Sequence, residues 1–190
     1  ERFIVEVGPG PGLLTNAILE KKIKKVLAIE TDKTFLPILE ELKEKHPKKF
    51  EFIINDALKV DLDKLISEKY SVISNLPYNI STKIILYLFK FNKNIKEMVF
   101  MVQKEVAQKF DYNLSNMNKY KYLTKINSSF KKCFDVSAKV FIPIPKVKSS
   151  VIKFKINYNE YDREKTNKFS NLIFKNVRKK ICNNLKTKSN

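Results

Sequence analysis

All three glycines of this 190-residue chain lie in one five-residue stretch, at Gly8, Gly10 and Gly12. An apolar run rich in β-branched side chains precedes them at 3–7, and a stretch with helical periodicity follows at 13–19. Because glycine has no Cβ, the backbone can turn sharply here and a ligand can approach it closely. The pattern predicts the first strand, turn and helix of an open α/β sheet, whose ligands bind beyond the carboxyl ends of the strands.

The ligand of this turn is predicted to be a nucleoside rather than a phosphate. Phosphate-binding turns point backbone N–H groups at the anion, and Pro9 and Pro11 have none. No Gly-Lys-Ser/Thr ending follows, which excludes a P-loop. Glu30 ends a second apolar run, 18 residues past Gly12, near the offset at which an acid binds ribose hydroxyls. A plain tight turn beside a solvated acid is the alternative interpretation.

A second group of polar and aromatic residues, Asn75, Leu76, Pro77 and Tyr78, follows the predicted fourth strand. By topology it lies at the same edge of the sheet as the glycine turn. Asn75 offers a carbonyl acceptor, a turn through Pro77 can present backbone carbonyls, and Tyr78 offers a face on which a base can stack. These groups suit the exocyclic amine of a base. Alternatively, Asn75 caps the next helix and Tyr78 packs in the core, and these four residues alone do not decide.

Alternating strands and helices surround these two groups. Apolar runs are separated by segments with helical spacing, which indicates βαβ units and a parallel sheet. The predicted strands are 3–7, 26–29, 50–54, 70–74 and 98–102, and the predicted helices are 13–19, 35–45 and 82–91.

The second half of the chain has a different pattern. A polar, loop-like stretch at 111–122 precedes a predicted helix at 123–134. Two apolar runs, 140–142 and 151–156, flank a proline-containing segment, and the alternation in the second run predicts antiparallel strands at the end of the sheet. A basic helix is predicted at 169–185.

Positive charge is concentrated in this second half. Residues 1–100 hold 17 basic and 14 acidic side chains, whereas residues 101–190 hold 21 and 6, and the net charge of the chain is +18. A one-sided basic surface is typical of nucleic-acid-binding proteins. An A+T-rich genome would raise the number of lysines but would not remove acids from one half. We therefore expect a nucleic-acid partner.

Other chemistries are excluded by the residues that the chain lacks. Its one histidine, His46, precedes a proline in a lysine-rich turn, which removes histidine-based triads and metal sites. Cys133 and Cys182 are too few and too far apart for a zinc site or a disulfide framework, so no metal is expected. No apolar run approaches the ~20 residues of a membrane helix.

Six motifs occur in order along the chain. They are residues 6–10 (Glu-Val-Gly-Pro-Gly), 29–32 (Ile-Glu-Thr-Asp), 55–58 (Asn-Asp-Ala-Leu), 75–82 (Asn-Leu-Pro-Tyr-Asn-Ile-Ser-Thr), 102–107 (Val-Gln-Lys-Glu-Val-Ala) and 141–147 (Phe-Ile-Pro-Ile-Pro-Lys-Val). With them the sequence resembles, from Phe3 to Leu185, the ribosomal RNA adenine dimethyltransferase family, whose members use S-adenosylmethionine to dimethylate two adjacent adenines near the 3′ end of small-subunit rRNA. The resemblance implies that reaction, that cofactor and the small ribosomal subunit as partner. It also implies a Rossmann-like class I methyltransferase sheet, mostly parallel with an antiparallel strand at one end.

The resemblance also assigns roles to individual residues. Glu30 is expected at the ribose of the cofactor and Asp56 at its adenine amine. The expected catalytic residues around the target adenine are Asn75, Leu76, Pro77 and Tyr78, and the expected cofactor-binding residues are Glu6, Gly8, Gly10, Glu30, Asp56, Ala57 and Asn75.

The sequence departs from the family's pattern in several places. An N-terminal segment with a Gln-Asn-Phe-Leu-like motif is expected to be missing. Residues 1–157 should form the methyltransferase domain without that segment. Residues 158–190, with basic residues at 178–180, should form the start of a truncated, small, basic C-terminal helical domain. Where the family usually has Tyr-Gly-x-Leu-Ser, this chain has Tyr-Lys-Tyr-Leu-Thr at 120–124, so the conformation there is in question. Lys148 replaces a usual aspartate.

Two other functions stay open at this stage. Large-subunit rRNA adenine methyltransferases share the motif at 75–82, although residues 103–107 favour the small-subunit branch. A non-catalytic nucleic-acid-binding relative, such as a mitochondrial transcription factor, is disfavoured by the intact Asn75 and Tyr78. We expect a monomer without membrane association. Its location would be cytoplasmic in a bacterium, or the mitochondrion, plastid or nucleolus in a eukaryote.

Overall fold

The computed structural model describes residues 2–91, 93–141, 144–145, 147–158, 163–176 and 184–185, without the side chains of 163 and 164. Seven strands of this part form one sheet: β1 Phe3–Val7, β2 Lys25–Glu30, β3 Phe50–Ile54, β4 Tyr70–Asn75, β5 Ile95–Gln103, β6 Ser128–Val136 and β7 Ser149–Ile156. Their order is β3-β2-β1-β4-β5-β7-β6. Strands β1 to β5 are mutually parallel, and β7 runs antiparallel between β5 and β6. The predicted parallel sheet with an antiparallel strand at one end is confirmed.

Helices cover both faces of the sheet. They are α1 Leu13–Leu19, α2 Leu36–Lys45, α3 Leu62–Leu65, α4 Ser81–Leu88, α5 Lys104–Phe110, α6 Lys119–Asn127 and α7 Arg163–Ile173, with short 3₁₀ turns at Lys33–Phe35, Phe89–Phe91 and Ala138–Val140.

The side chains of β1 enter opposite layers of the core in alternation. Ile4 lies in one apolar layer with Leu39 of α2. Val5 and Val7 lie in the other layer with Ile85 of α4. A parallel strand that is buried on both faces has an almost continuous apolar sequence, which is why β1 was predictable. The same burial holds the loops at the carboxyl ends of the strands in fixed positions.

The predicted helix at 123–134 is wrong in its second half. Helix α6 ends at Asn127, and the chain continues directly as strand β6. Ser128 and Phe130 of β6 are buried and the residue between them is exposed, an alternation that a strand satisfies. The ring of Phe130 lies 5.4 Å from that of Phe154 in β7, so packing between strands outweighed the local helical pattern.

The predicted strand at 140–142 is wrong where the structure describes it. Residues 138–140 form a 3₁₀ turn, and residue 142 lies outside the described part of the chain. The second antiparallel partner of β7 is β6 instead, with Phe130 opposite Phe154.

Lys121 explains how the chain accommodates its departure from the family pattern at 120–124. The predicted loop at 111–122 is shorter than expected, because α6 begins at Lys119. The side chain of Lys121 is 5% exposed, and its Nζ donates to the carbonyl oxygens of Leu114 at 3.1 Å and Ser115 at 2.6 Å. The lysine that stands in place of the usual glycine therefore holds the preceding loop.

The C-terminal helix differs from its predicted limits. Helix α7 begins at 163 rather than 169 and ends at Ile173. The amide of Asn184 donates to the carbonyl oxygens of Ile173 at 2.9 Å and Asn176 at 3.1 Å, which ties this residue to the end of α7. The basic residues at 178–180 lie outside the described residues, and the domain boundary after 157 stays a prediction.

Candidate cofactor and target-base site

The glycine turn joins β1 to α1 in a backbone conformation that requires glycine. Gly8, Gly10 and Gly12 have φ values of 69°, 53° and 76°, in the left-handed region. The N–H of Gly8 donates to the carbonyl oxygen of Ile29 in β2 at 2.8 Å, which fixes the start of the turn. A Cβ at Gly12 would lie 2.8 Å from Cδ1 of Leu42, so glycine is also needed for α1 to approach α2.

Glu30, at the end of β2, is 5% exposed and holds both its own loop and the glycine turn. Its Oε2 accepts from the N–H of Gly10 at 3.0 Å. Its Oε1 accepts from the N–H groups of Thr31 at 2.7 Å and Asp32 at 2.9 Å. A carboxylate has about four acceptor positions, so one remains for a ribose hydroxyl. The predicted position of Glu30 beside the turn is therefore what the structure shows, and its ribose contact stays a prediction.

Glu6 lies beneath the turn rather than on its surface. It is 1% exposed, and its Oε2 accepts a hydrogen bond from Oγ1 of Thr15 in α1 at 2.7 Å. Burial raises the pKa of Glu6 to about 7; the Thr15 hydrogen bond opposes this rise, and the negative charge of Glu30 adds a smaller increase. The side chain thus fastens α1 to β1 and would influence a cofactor through the turn.

Asp56 and Ala57 lie in the loop after β3, which is joined to the Glu30 loop. The N–H of Asn55 donates to the carbonyl oxygen of Glu30 at 2.8 Å. The Oδ1 atom of Asp56 accepts from the N–H of Leu58 at 2.9 Å, which sets the direction of the carboxylate and leaves Oδ2 for a ligand amine. The loops after β1, β2 and β3 thus meet at one edge, as predicted, and both Asp56 and Ala57 are half-buried there.

The loop after β4 lies beside the glycine turn. A Cβ at Gly8 would lie 3.7 Å from both Cγ and Cδ of Pro77. One residue before Asn75, the hydroxyl of Ser74 donates to the carbonyl oxygen of Val7 in β1. The two groups of residues that the sequence singles out are therefore direct neighbours.

The structure excludes the capping interpretation of Asn75, and its role at a ligand stays a prediction. Helix α4 begins at Ser81, and the cap position, Ile80, makes no side-chain capping bond, so Asn75 does not cap it. Asn75 is the exposed last residue of β4, and within the described residues its amide has no hydrogen-bond partner. An exposed, unused amide at a strand end is suited to bind a ligand.

Fewer backbone carbonyl groups are available next to Asn75 than the sequence predicts. The carbonyl oxygen of Pro77 accepts from the N–H groups of Ile80 at 3.3 Å and Ser81 at 3.0 Å, which occupies its lone pairs. Leu76 is 1% exposed, and its N–H donates to the carbonyl oxygen of Met101 at 3.2 Å. The carbonyl oxygen of Leu76 accepts no such bond among the described residues, so of these two backbone acceptors it is the unused one.

Tyr78 is half-buried, and its hydroxyl lies 2.9 Å from the hydroxyl of Ser149, the first residue of β7. Sequence reasoning missed Ser149. The available signal was indirect: an antiparallel strand that pairs with β5 has to begin at the edge where the Asn75–Tyr78 loop lies.

Two kinds of feature are absent from the described part of the chain. Among the described residues, no group of three histidine, cysteine or acidic side chains is arranged to hold a metal ion. In that same part of the chain, no helix has the length and apolarity needed to cross a membrane.

The order and directions of the seven strands define the sheet of a class I methyltransferase. The chain belongs to the ribosomal RNA adenine dimethylase family, whose family model matches residues 1–190. The class I fold, the rRNA adenine methyltransferase activity and the S-adenosylmethionine cofactor expected from the sequence are thereby confirmed.

Relatives of known name support the same grouping. The chain is 38% identical over 204 residues to ribosomal RNA small subunit methyltransferase A of Mesoplasma florum, which covers all of the chain and 75% of the relative. It is 41% identical over 183 residues to the protein of that name from Mycoplasmopsis synoviae, covering 94% of the chain and 69% of the relative. In fold, it matches a dimethyladenosine transferase from Plasmodium falciparum with a TM-score of 0.81 and 24% identity, covering 98% of this chain and 68% of the other.

Proposed function

We propose that this chain dimethylates the exocyclic amines of two adjacent adenines near the 3′ end of small-subunit rRNA. The observation that supports the proposal is the closeness of Gly8 and Pro77, since a Cβ built on Gly8 would lie 3.7 Å from the proline ring. The proposed nucleoside site and the proposed amine site would therefore adjoin. A methyl group can pass directly from one site to the other only if they adjoin.

The cofactor would lie across the loops after β1, β2 and β3. The remaining acceptor position of Glu30 suits a ribose hydroxyl, and Oδ2 of Asp56 suits the adenine amine. Gly8 and Gly10 allow the ligand close to the backbone, with Ala57 beside it. Glu6 supports this surface from below through Thr15.

The target amine would lie between Asn75 and Leu76. Bound S-adenosylmethionine supplies an electrophilic methyl group. An adenine amine is a weak nucleophile because its lone pair is shared with the ring. Oδ1 of Asn75 and the carbonyl oxygen of Leu76 can accept its two hydrogens, favour a pyramidal nitrogen and stabilise the positive charge that develops there. Holding the nitrogen in line with the methyl group supplies the rest of the catalysis. The methylated nitrogen carries a positive charge and is a strong acid, so it would then release its proton to water and no side chain has to act as a general base.

Tyr78 would hold the target base by stacking. An adenine inside a helix cannot reach the strand edge, so the base has to be single-stranded or flipped out. Stacking on an aromatic side chain contributes ~1–3 kcal/mol per base. The half-buried ring of Tyr78 offers such a surface beside Asn75.

The charge distribution of the chain supports an RNA substrate. Residues 101–190 contain 21 basic and 6 acidic side chains, which favours binding to a phosphate backbone.

The exposed edge of the sheet supports a monomer. The edge strand β6 carries Lys131 and Lys132 and a bulge after Lys132, features that discourage pairing between sheets of two molecules. We propose a monomer without membrane association, which sedimentation of the full-length protein would test.

Methyl transfer to isolated subunits tests the proposed function. The assay mixes full-length protein and labelled S-adenosylmethionine with either small or large ribosomal subunits that lack the modification. We expect label in the small subunit, as dimethyladenosine at adjacent positions. Label in the large subunit alone would move the target to that subunit, and no label in either would remove the catalytic assignment.

A further inference from the structure

We propose that Ser149 is a positioning residue for the target base and acts through Tyr78. The inference rests on the proposed function, in which Tyr78 stacks on the adenine. It adds a residue from β7, two strands from β4 in the sheet, to a site that the strand-end loops otherwise form.

The contact joins parts of the chain that are distant in sequence. Tyr78 follows β4, whereas Ser149 begins β7, and β5 lies between these two strands in the sheet. The two hydroxyls are 2.9 Å apart, and either can be the donor. Ser149 is 0% exposed, so its hydroxyl has no contact with bulk water. Among the described residues, Tyr78 is the partner recorded for this hydroxyl.

Ser149 is itself held in place by backbone pairing on both sides. It lies opposite Gln103 of β5 and opposite Val136 of β6. The residue before it, Lys148, accepts a hydrogen bond on its carbonyl oxygen from the N–H of Lys104 at 2.9 Å. The serine hydroxyl is therefore a fixed point relative to the carboxyl end of β5.

A tyrosine ring has two side-chain torsions, and a bond at its hydroxyl restrains both. The loop fixes the Cα of Tyr78, where Ser81 also donates to its carbonyl oxygen at 3.2 Å. Ser149 fixes the opposite end of the ring. The face of the ring is thereby set before a base arrives, so binding does not have to order it. Ser149 should therefore affect the binding and alignment of the target base, and not the binding of the cofactor.

Four variants of the full-length protein test this inference: Ser149→Ala, Tyr78→Phe, the double variant, and Ser150→Ala as a matched control. Ser150 is also 0% exposed, but its hydroxyl donates to Oδ1 of Asp135 at 2.7 Å and not to the tyrosine. Three properties of each variant are measured. They are kcat and KM for RNA, the fluorescence of an RNA that carries 2-aminopurine in place of the target adenine, and the affinity for the cofactor.

Ser149→Ala and Tyr78→Phe should each lower kcat/KM for RNA by roughly three- to tenfold, the value of one hydrogen bond. Both should change the 2-aminopurine signal in the same way, with cofactor affinity and the Ser150→Ala control unchanged. The double variant should lose no more than Tyr78→Phe alone.

Three results would overturn the inference. One is a Ser149→Ala protein with wild-type kinetics and fluorescence. Another is a Ser149→Ala effect of equal size in the Tyr78→Phe background, which would mean that the serine acts through packing. The third result applies if the Ser149→Ala protein does not fold. Tyr78→Phe removes the same hydrogen bond from the loop side, and wild-type kinetics and fluorescence in Tyr78→Phe would then overturn the inference. If the wild-type protein methylates neither subunit, the proposed function fails separately, while the 2-aminopurine signal still decides the role of Ser149.

Discussion

Glu30 accepts a hydrogen bond on Oε2 from the backbone N–H of Gly10 at 3.0 Å, so the acid at the end of β2 holds the turn at the end of β1. The residue expected to bind the ribose is thus also part of the scaffold that shapes the cofactor site. A substitution at Glu30 should consequently affect both ligand affinity and folding stability, whereas a residue that only touches the ligand should affect affinity alone.

Glu30→Ala should weaken cofactor binding by about 1–3 kcal/mol and also lower the melting temperature, because three backbone N–H groups lose a charged acceptor. Calorimetry and thermal unfolding of the full-length protein measure the two effects. Glu44→Ala, at an exposed position of α2, is the control. Wild-type affinity in Glu30→Ala would mean that the cofactor lies elsewhere.

Asp56→Asn should weaken cofactor binding with little loss of stability. Asparagine keeps an Oδ1 acceptor for the N–H of Leu58 but replaces the second oxygen with an amide that cannot accept from the adenine amine. The expected loss is about 1–3 kcal/mol, measured by calorimetry. An affinity equal to that of the wild type would contradict the role given to Oδ2.

Asn75→Ala should slow methyl transfer far more than it weakens cofactor binding. It removes one preorganised acceptor for the target amine, which typically costs about 10²–10³ in rate. Single-turnover methylation measures the chemical step directly. A fall in the single-turnover rate of less than tenfold would contradict the assignment of Asn75 to the target amine. A capping role could not then replace it, because the structure already excludes that role.

The local parts of this site were predictable and the long-range contacts were not. The glycine turn and the Asn75–Tyr78 loop each lie in a short continuous stretch, and their preceding strands have the apolar pattern of a buried parallel sheet. The Tyr78–Ser149 contact requires knowing which strand lies beside β5. The pattern predicted an antiparallel strand at 151–156 but neither its place beside β5 nor its start at Ser149. Its other neighbour, β6, was concealed by the helical spacing of 123–134. The hydrogen bonds that the Pro77 carbonyl accepts at the start of α4 were not predictable either, because they depend on the residue at which the helix begins.

Glu6 should make stability depend on pH. Burial raises its folded-state pKa to about 7, above the ordinary value of 4.5, so the folded state retains a proton that the unfolded state has lost. Its contribution to stability is present in full below pH 4.5 and is lost as the pH rises to about 7, by an amount on the order of 3 kcal/mol. Denaturant unfolding of wild type and Glu6→Gln at pH 5 and pH 8 isolates this effect. Glu6→Gln should gain stability relative to wild type at pH 8, and an equal difference at both pH values would contradict the prediction.

The basic second half should give RNA binding a steep salt dependence. If its side chains contact phosphates, each contact adds roughly −0.7 to −0.9 to the log–log slope of affinity against salt. Changing Arg178, Lys179 and Lys180 together to glutamine should therefore flatten the slope by about two to three units. A control that changes Lys21, Lys22 and Lys48, three exposed cations of the first half, removes the same charge. Equal changes in both triple variants would show that the slope reflects net charge alone. A flattened slope in the first variant only, with cofactor affinity unchanged, would locate the RNA contacts in the C-terminal part of the chain.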